Sequence, residues 1–376
     1  MAWLGSWSKR REITVSNTNI DSDLTHFPLP VFINSSSGTG NKDLTPIFDE
    51  VGANSLKIAI TKSDGTTQIY GEIEKWDDVG EEAFVWVSKS DLTFSSSGNT
   101  TLYIYYDNSQ PDNTTWIALN GSRTEVWDSD FEGVWHLPEL SGTRTDSTSN
   151  NNDLTDNNTV GSGTGQIDGA GDFELSNSEY LSRADNASLS ITGDITIDLI
   201  VKHETLPAEG TIQGYVTKWS GSGTAQRSYY FALQTQTGPI HRLLFSTTDD
   251  GVSQDSHFQV VTISAGTNIH LSVIKDTTND EVKFFIDGSQ VGSTRVGIQN
   301  SIFDGNRRFI IGSYESNDSP ANFMDGIIDE VQVSSSVRSD DWIKANYNAG
   351  IDNLASYGDE ELMPSAQNSN FFLFMQ

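Results

Sequence analysis

The chain has 376 residues, room for about two domains of ordinary size. It carries 52 acidic against 22 basic residues, a net charge of −30 that repels phosphate backbones and excludes nucleic acid as a partner. There is no cysteine, which excludes disulfides and thiolate metal sites, and no run approaches the ~20 apolar residues that span a bilayer.

The opening segment, Met1 to Arg11, is too poor in apolar residues for a signal peptide and carries its charges on the wrong side. The expectation is a protein released by lysis rather than by general secretion. Strands follow at short spacing: Arg11 to Val15, then Phe27 to Ile33 with prolines that suit an edge. Leu56 to Ile60 alternates apolar and polar residues, Asp64-Gly65 turns the chain, and Gln68 to Tyr70 continues it. Glu72 to Trp76, Ala83 to Val87 and Thr101 to Tyr106 complete an antiparallel β-sandwich expected over residues 1–120. Trp116 to Leu119 reads as a helical turn bridging to the next unit, which opens at Val126-Trp127-Asp128.

From there the motifs form an ordered series. Val134-Trp135-His136-Leu137-Pro138-Glu139 comes first, then Gly169-Ala170-Gly171-Asp172-Phe173 ahead of Tyr180-Leu181. Phe284-Phe285-Ile286-Asp287-Gly288 runs a strand into a turn, and Gly326 to Val333 closes the series with alternating residues. This order resembles the laminin-G-like, concanavalin A-like jelly roll, which implies such a fold over residues 126–350. The first unit, through W-S-K-R-R-E-I-T-V, F-P-L-P-V, E-I-E-K-W and Y-I-Y-Y-D-N, is similar to a bacterial and archaeal domain of unknown function often found ahead of laminin-G-like domains. The fold class expected is therefore all-β, two tandem sandwiches, with one C-terminal helix and an extended tail. Ser339 caps that helix, Asp340 and Asp341 favour its positive end, and Gly350 ends it.

Residues 351–376 read as a tail ending in Phe371, Phe372, Leu373, Phe374 and Met375. Burying each is worth roughly 1.5–3 kcal/mol, so the segment is expected to dock, either back on its own domain or as an arm on a neighbouring subunit.

Enzyme chemistry finds little support. Glycosidases of this fold place two carboxylates on one strand face, and no such motif occurs. Glu72 and Glu74 share a strand face beside Lys75 and read as solvated, whereas Asp329 and Glu330 are adjacent and so are expected on opposite faces. No histidine shows metal-ligand spacing, and His270 reads as a packed or partnered sandwich histidine. The jelly-roll resemblance implies a structural calcium held by Glu139, Asp172 and Asp329, although Asp329 also fits a strand-end carboxylate bonded to backbone amides. Stacking platforms for sugars are sought among exposed aromatics, and Trp219, Tyr229 and Tyr314 are the choices, with core packing as the competing reading.

Taken together, these features predict a non-enzymatic virion surface protein, a capsid decoration or tail-associated subunit contacting its neighbours or copies of itself, and host-surface glycans. The alternatives are a secreted or cell-surface carbohydrate-binding adhesin and, less well supported, a glycoside hydrolase of the same fold.

Overall fold

The computed structural model describes residues 2–220, 226–238, 240–316 and 319–364. The chain is nearly all β, in three large sheets that are antiparallel but for one short strand. The first sheet runs in the order Ala355–Leu362, Lys9–Val15, Thr100–Tyr106, Ile58–Lys62, Gln68–Asp77, Glu82–Ser88, Leu29–Ile33. The proline-bearing strand Leu29–Ile33 does lie at the edge, where a missing N–H costs no ladder bond. Ile117–Leu119, read above as a helical turn, is instead a short strand parallel to Gln68–Asp77, because its backbone completes that strand's free edge.

The second unit is a sandwich of two sheets. One takes the order Gly161–Thr164, Gly169–Phe173, Gly326–Ser334, Ile195–His203, Ile269–Asp276, Glu281–Ile286, Ser289–Val296, with Phe131–Trp135 also paired to Gly326–Ser334. The other takes the order Thr155–Asn157, Tyr180–Arg183, Phe309–Ile311, Ile212–Lys218, Tyr229–Gln236, Ile240–Thr247, Asp255–Val260. Alternate residues from both sheets, such as Leu199, Val273 and Val331 from one and Phe231, Leu243 and Phe245 from the other, fill the space between them.

Two features weld the units together. The helix Asp340–Gly350, capped by the Ser339 hydroxyl accepting from the Trp342 amide, packs Trp342 against Phe27 with ring centroids 4.9 Å apart. Ile343, Ala345 and Ala349 enter the same apolar cluster as Ile13, Phe94 and Trp127, so the core of the first unit includes side chains from the C-terminal part of the chain. The chain then crosses back. Ala355–Leu362, read above as the start of a tail, forms the outer strand of the first sheet against Lys9–Val15, with Arg10 opposite Glu361 and Arg11 opposite Glu360. Arg10 Nη2 lies 2.7 Å from Glu361 Oε2, so opposite charges fix the register. The apolar arm, Phe371 to Met375, lies outside the described residues. Among the described residues no helix is long and apolar enough to cross a membrane.

Candidate functional site

Two sites stand out. The first is a groove on the outward face of the seven-stranded sheet. Strand alternation sends Tyr229, Phe231 and Leu233 into the sandwich and leaves Tyr230, Ala232 and Gln234 outside. On the neighbouring strand Arg242 and Leu244 face outward in the same way. These side chains, with Trp219, Phe258 and Tyr314, line a cavity of about 270 Å³. Trp219 and Tyr230 form its buried floor, and the half-buried Tyr314 leans on Tyr230 with centroids 5.0 Å apart. The Arg242 guanidinium lies over Phe258 at 3.7 Å and donates to Gln234 Oε1 at 2.8 Å. Arg227 completes the rim beside Trp219. No carboxylate lines this groove among the described residues, in a chain with 52 acids. The Tyr230 hydroxyl is enclosed there without a hydrogen-bond partner.

Of the aromatics singled out from the sequence, Trp219 and Tyr314 meet in this groove. Tyr229 does not. It points into the core, where its hydroxyl donates to the Leu189 carbonyl at 2.9 Å, and Tyr230 takes the outward place. The choice between two adjacent tyrosines turns on strand phase, and the apolar triplet Tyr230-Phe231-Ala232 hides that phase.

The second site is the joint between the units, where charge is buried. Strand Gln68–Asp77 brings Glu72 and Glu74 to the interface, both buried rather than solvated. Trp127 Nε1 donates to Glu72 at 2.6 Å, as do the Gly121 amide at 2.6 Å and the Ser147 hydroxyl at 2.8 Å. Trp86 Nε1 donates to Glu74 at 2.6 Å. Facing them across the joint are His136, Asp329 and Glu330. His136 is packed between the Trp86 and Trp127 indoles at 5.3 and 5.6 Å, and its Nδ1 lies 2.9 Å from both Glu330 oxygens and 3.5 Å from Glu74 Oε2.

Glu330 reaches this joint through a β-bulge. The pairing with Ile195–His203 slips by one residue between Asp198 and Ile200, and Glu330 takes φ +51°, a left-handed conformation rare for a side chain of its size. Ile328 and Val331 face the core, so the extra residue leaves Asp329 and Glu330 both facing outward. The expectation of opposite faces fails because strict alternation does not hold across a bulge. Burial, reinforced by Glu330, pushes the Glu74 carboxyl well above the usual carboxylate range. Burial likewise raises Asp329, with Glu330 adding to it. Burial alone would depress His136, yet the Glu330 and Glu74 carboxylates outweigh it and hold the imidazole well above its ordinary value.

A cavity of about 210 Å³ adjoins this cluster, lined by Trp86 and Glu330 and by Asp198, His270 and Asn346. His270 is a partnered histidine, with Nε2 2.6 Å from Asp198, whose other oxygen accepts from the Ser272 hydroxyl at 2.7 Å.

The three carboxylates implied as calcium ligands each have their own described partners. Glu139 accepts from the Thr145 amide at 2.7 Å, and Asp329 accepts from the Gln166 and Ile167 amides at 2.7 and 3.2 Å. Asp172 groups instead with Glu174 and Glu204 near the surface. Among the described residues, Glu139, Asp172 and Asp329 do not form a group whose ligand atoms all lie within 4.8 Å of one another, although each keeps one buried oxygen without a hydrogen-bond partner. The acids that do gather, Glu72, Glu74 and Glu330, lie within E-I-E-K-W and Gly326 to Val333, segments read above for fold rather than chemistry. A further signal is the pair of tryptophans, Trp86 and Trp127, whose buried N–H groups need acceptors.

Family models match both units. Residues 175–344 match the concanavalin A-like lectin/glucanases superfamily, and residues 54–148 match a domain of unknown function, DUF2341. The second unit is a concanavalin A-like domain. No curated protein matches the sequence. Solved structures similar to the chain include the binding domain of Paraclostridial Mosquitocidal Protein 1, at 14% identity over 58% of this chain and 52% of that one, TM-score 0.46. The chain thus spans about half the length of that relative. Domain 4 of AbnA, a GH43 extracellular arabinanase from Geobacillus stearothermophilus in complex with arabinotriose, is 18% identical over 57% of this chain and 97% of that one, TM-score 0.41. The Ruminococcus gnavus IT-sialidase CBM40 bound to α2,3-sialyllactose is 17% identical over 44% of this chain and 90% of that one, TM-score 0.36. In the concanavalin A-like domain described here, the groove over Trp219 and Tyr230 lies on the sheet remote from the joint with the first unit.

Proposed function

We propose that the concanavalin A-like domain binds, without turnover, the terminal residue of an acidic glycan in the groove over Trp219, Tyr230 and Tyr314. The observation that carries this reading is the groove's lining: aromatic rings and amide side chains with two arginines and no carboxylate, on a chain of net charge −30. Aromatic faces and edges suit the C–H surface of a pyranose, and Gln234, Gln254 and Asn322 suit its hydroxyls. Among the described residues Arg242 has no acidic partner, which leaves its guanidinium for a carboxylate or sulfate on the sugar. The volume, near the lower end of the ~300–1,000 Å³ of ligand pockets, suits a chain end rather than a polymer run. Glycosidase chemistry needs a pair of carboxylates across the scissile bond, and this groove offers none.

A glycan array probed with the full chain, followed by calorimetry, tests the reading. Sugars ending in a uronic or sialic acid are expected to bind, with their neutral counterparts weaker. Arg242→Gln is expected to cost about tenfold or more, the ~1.5–3 kcal/mol of a charge-assisted hydrogen bond. Equal binding of acidic and neutral sugars, or an unchanged Arg242→Gln variant, overturns it.

We further propose display on a virion surface, the setting expected from the sequence. Immunogold labelling of purified particles tests that setting, and label on cell envelopes with bare particles favours an adhesin instead.

A further inference from the structure

The joint between the units encloses four carboxylates, Glu72, Glu74, Asp329 and Glu330, with one imidazole, His136. Fully ionised, that is an excess of negative charge, and burying each unpaired ion costs several kcal/mol. Among the described residues no lysine or arginine pairs with any of the four, and the nearby Lys75 turns outward to Glu82 and Asp168 at 2.7 and 2.9 Å. The balance has to come from protons or from a bound cation.

We propose that Glu74, His136 and Glu330 hold one divalent transition-metal ion of the zinc class, which staples the first unit to the concanavalin A-like domain. One ligand atom from each of the three lies within 4.8 Å of the others. His136 Nδ1 is 2.9 Å from Glu330 and 3.5 Å from Glu74, and these values bracket the ~3.3 Å between ligands on a tetrahedral ion with bonds of about 2.0–2.1 Å. The opposite ring nitrogen, Nε2, faces Glu72 at 3.9 Å. Glu72 is held there by Trp127, Gly121 and Ser147, beyond hydrogen-bond reach of that nitrogen, and adds negative charge on the far side of the imidazole.

A separate observation points to a missing partner. Glu74 Oε1, the carboxylate oxygen that Trp86 does not serve, is wholly enclosed with no hydrogen bond. A buried polar atom left so costs about 1–3 kcal/mol, and a cation would satisfy it. Imidazole with two carboxylates selects zinc and its neighbours over calcium, which needs more oxygen ligands. The glycan groove plays no part in this assignment, because it lies on the other sheet.

The test is elemental analysis of the full chain, produced with zinc in the medium and, separately, refolded with zinc. About one bound ion per chain is expected, located by anomalous diffraction between Glu74, His136 and Glu330. Glu74→Gln is expected to lose the ion, and chelation of the parent protein to lower its melting temperature. Metal-free protein from both routes, with a melting temperature indifferent to zinc and chelator, overturns the proposal and leaves shared protons as the neutralising charge. Full occupancy in a folded Glu74→Gln variant also overturns it. Should that variant not fold, the stoichiometry and the anomalous position in the parent protein decide the matter.

Discussion

Asp329 and Glu330 follow one another in the chain yet face the same side of their sheet. The left-handed backbone at Glu330 is what allows this, and it places both carboxylates against the first unit. Such a conformation costs about 1–3 kcal/mol for a side chain other than glycine, asparagine or aspartate. A β-branched residue there should therefore be worse than glycine. Glu330→Val and Glu330→Gly both remove the partner of His136, so the difference between them isolates the backbone. In urea unfolding, Glu330→Val is expected to be less stable than Glu330→Gly by about 1 kcal/mol or more. Equal midpoints would reject the bulge as drawn.

The two tryptophans that serve the buried acids give a second expectation. Trp86→Phe keeps most of the packing but removes the 2.6 Å bond to Glu74, and a lost bond to a charged or proton-sharing group costs about 1.5–3 kcal/mol. Combined with Glu74→Gln, the loss should fall short of the sum of the two single losses by about 0.5 kcal/mol or more. Additive effects in a double-mutant cycle would show that the indole and the carboxylate are not coupled.

Asp352 offers a test by pH. Burial raises its carboxyl to about 7, even though the Gly38 amide donates to it at 2.6 Å. An acid whose folded value is raised binds its proton more tightly in the native state. Its stabilising effect is therefore complete at low pH and is lost as pH climbs from about 4 through about 7. Asp352→Asn keeps an oxygen for Gly38 and tolerates the left-handed φ of +54° at this position. The variant should melt a few degrees higher than the parent at pH 8 and match it at pH 4.5. A gain of equal size at both values would assign the effect to something other than ionisation.

Removal of the returning strand gives the fourth expectation. A chain ending at Asn353 loses Ala355 and Tyr357 from the core of the first unit and uncovers the edge of Lys9–Val15. Exposed edges recruit other chains, so this truncation is expected to aggregate, whereas a chain ending at Pro364 stays monodisperse by light scattering. A soluble, folded product from the shorter chain would mean that the first sheet closes without its outer strand.

How much of this was legible depends on the residue. Gly326 to Val333 declared a strand through its alternation, and Ser339 declared a helix start through its side-chain oxygen. Strand and helix both stand, although the alternation along the strand breaks at the bulge and every one of its residues is buried. Trp219 and Tyr314 were legible as candidates for an outward-facing groove, which both line, because large rings beside polar loops are costly unless packed or used. Tyr229 was misplaced by one residue of strand phase. The buried acids were not legible, since a carboxylate in an alternating strand reads as the wet face unless the element covering it is known. Glu72 is covered by Trp127 and Ser147, 55 and 75 residues further along the chain. The bulge at Glu330 was equally hidden, because no glycine marks it. The returning strand could have been found: Asp359-Glu360-Glu361 is the charge complement of Lys9-Arg10-Arg11, a signal that only makes sense once the two are set side by side.

That pairing has a mechanical consequence. Lys9 lies opposite Leu362, so the segments leading into and out of the ladder leave from the same end. Tension applied between them would peel the two strands apart one rung at a time, instead of shearing every rung at once. A protein held by one end only would never feel that load. One strung between two attachments would yield first at Lys9 and Leu362, parting the outer strand from the first sheet, while the concanavalin A-like domain, closed by its own central strand Gly326–Ser334, stayed intact.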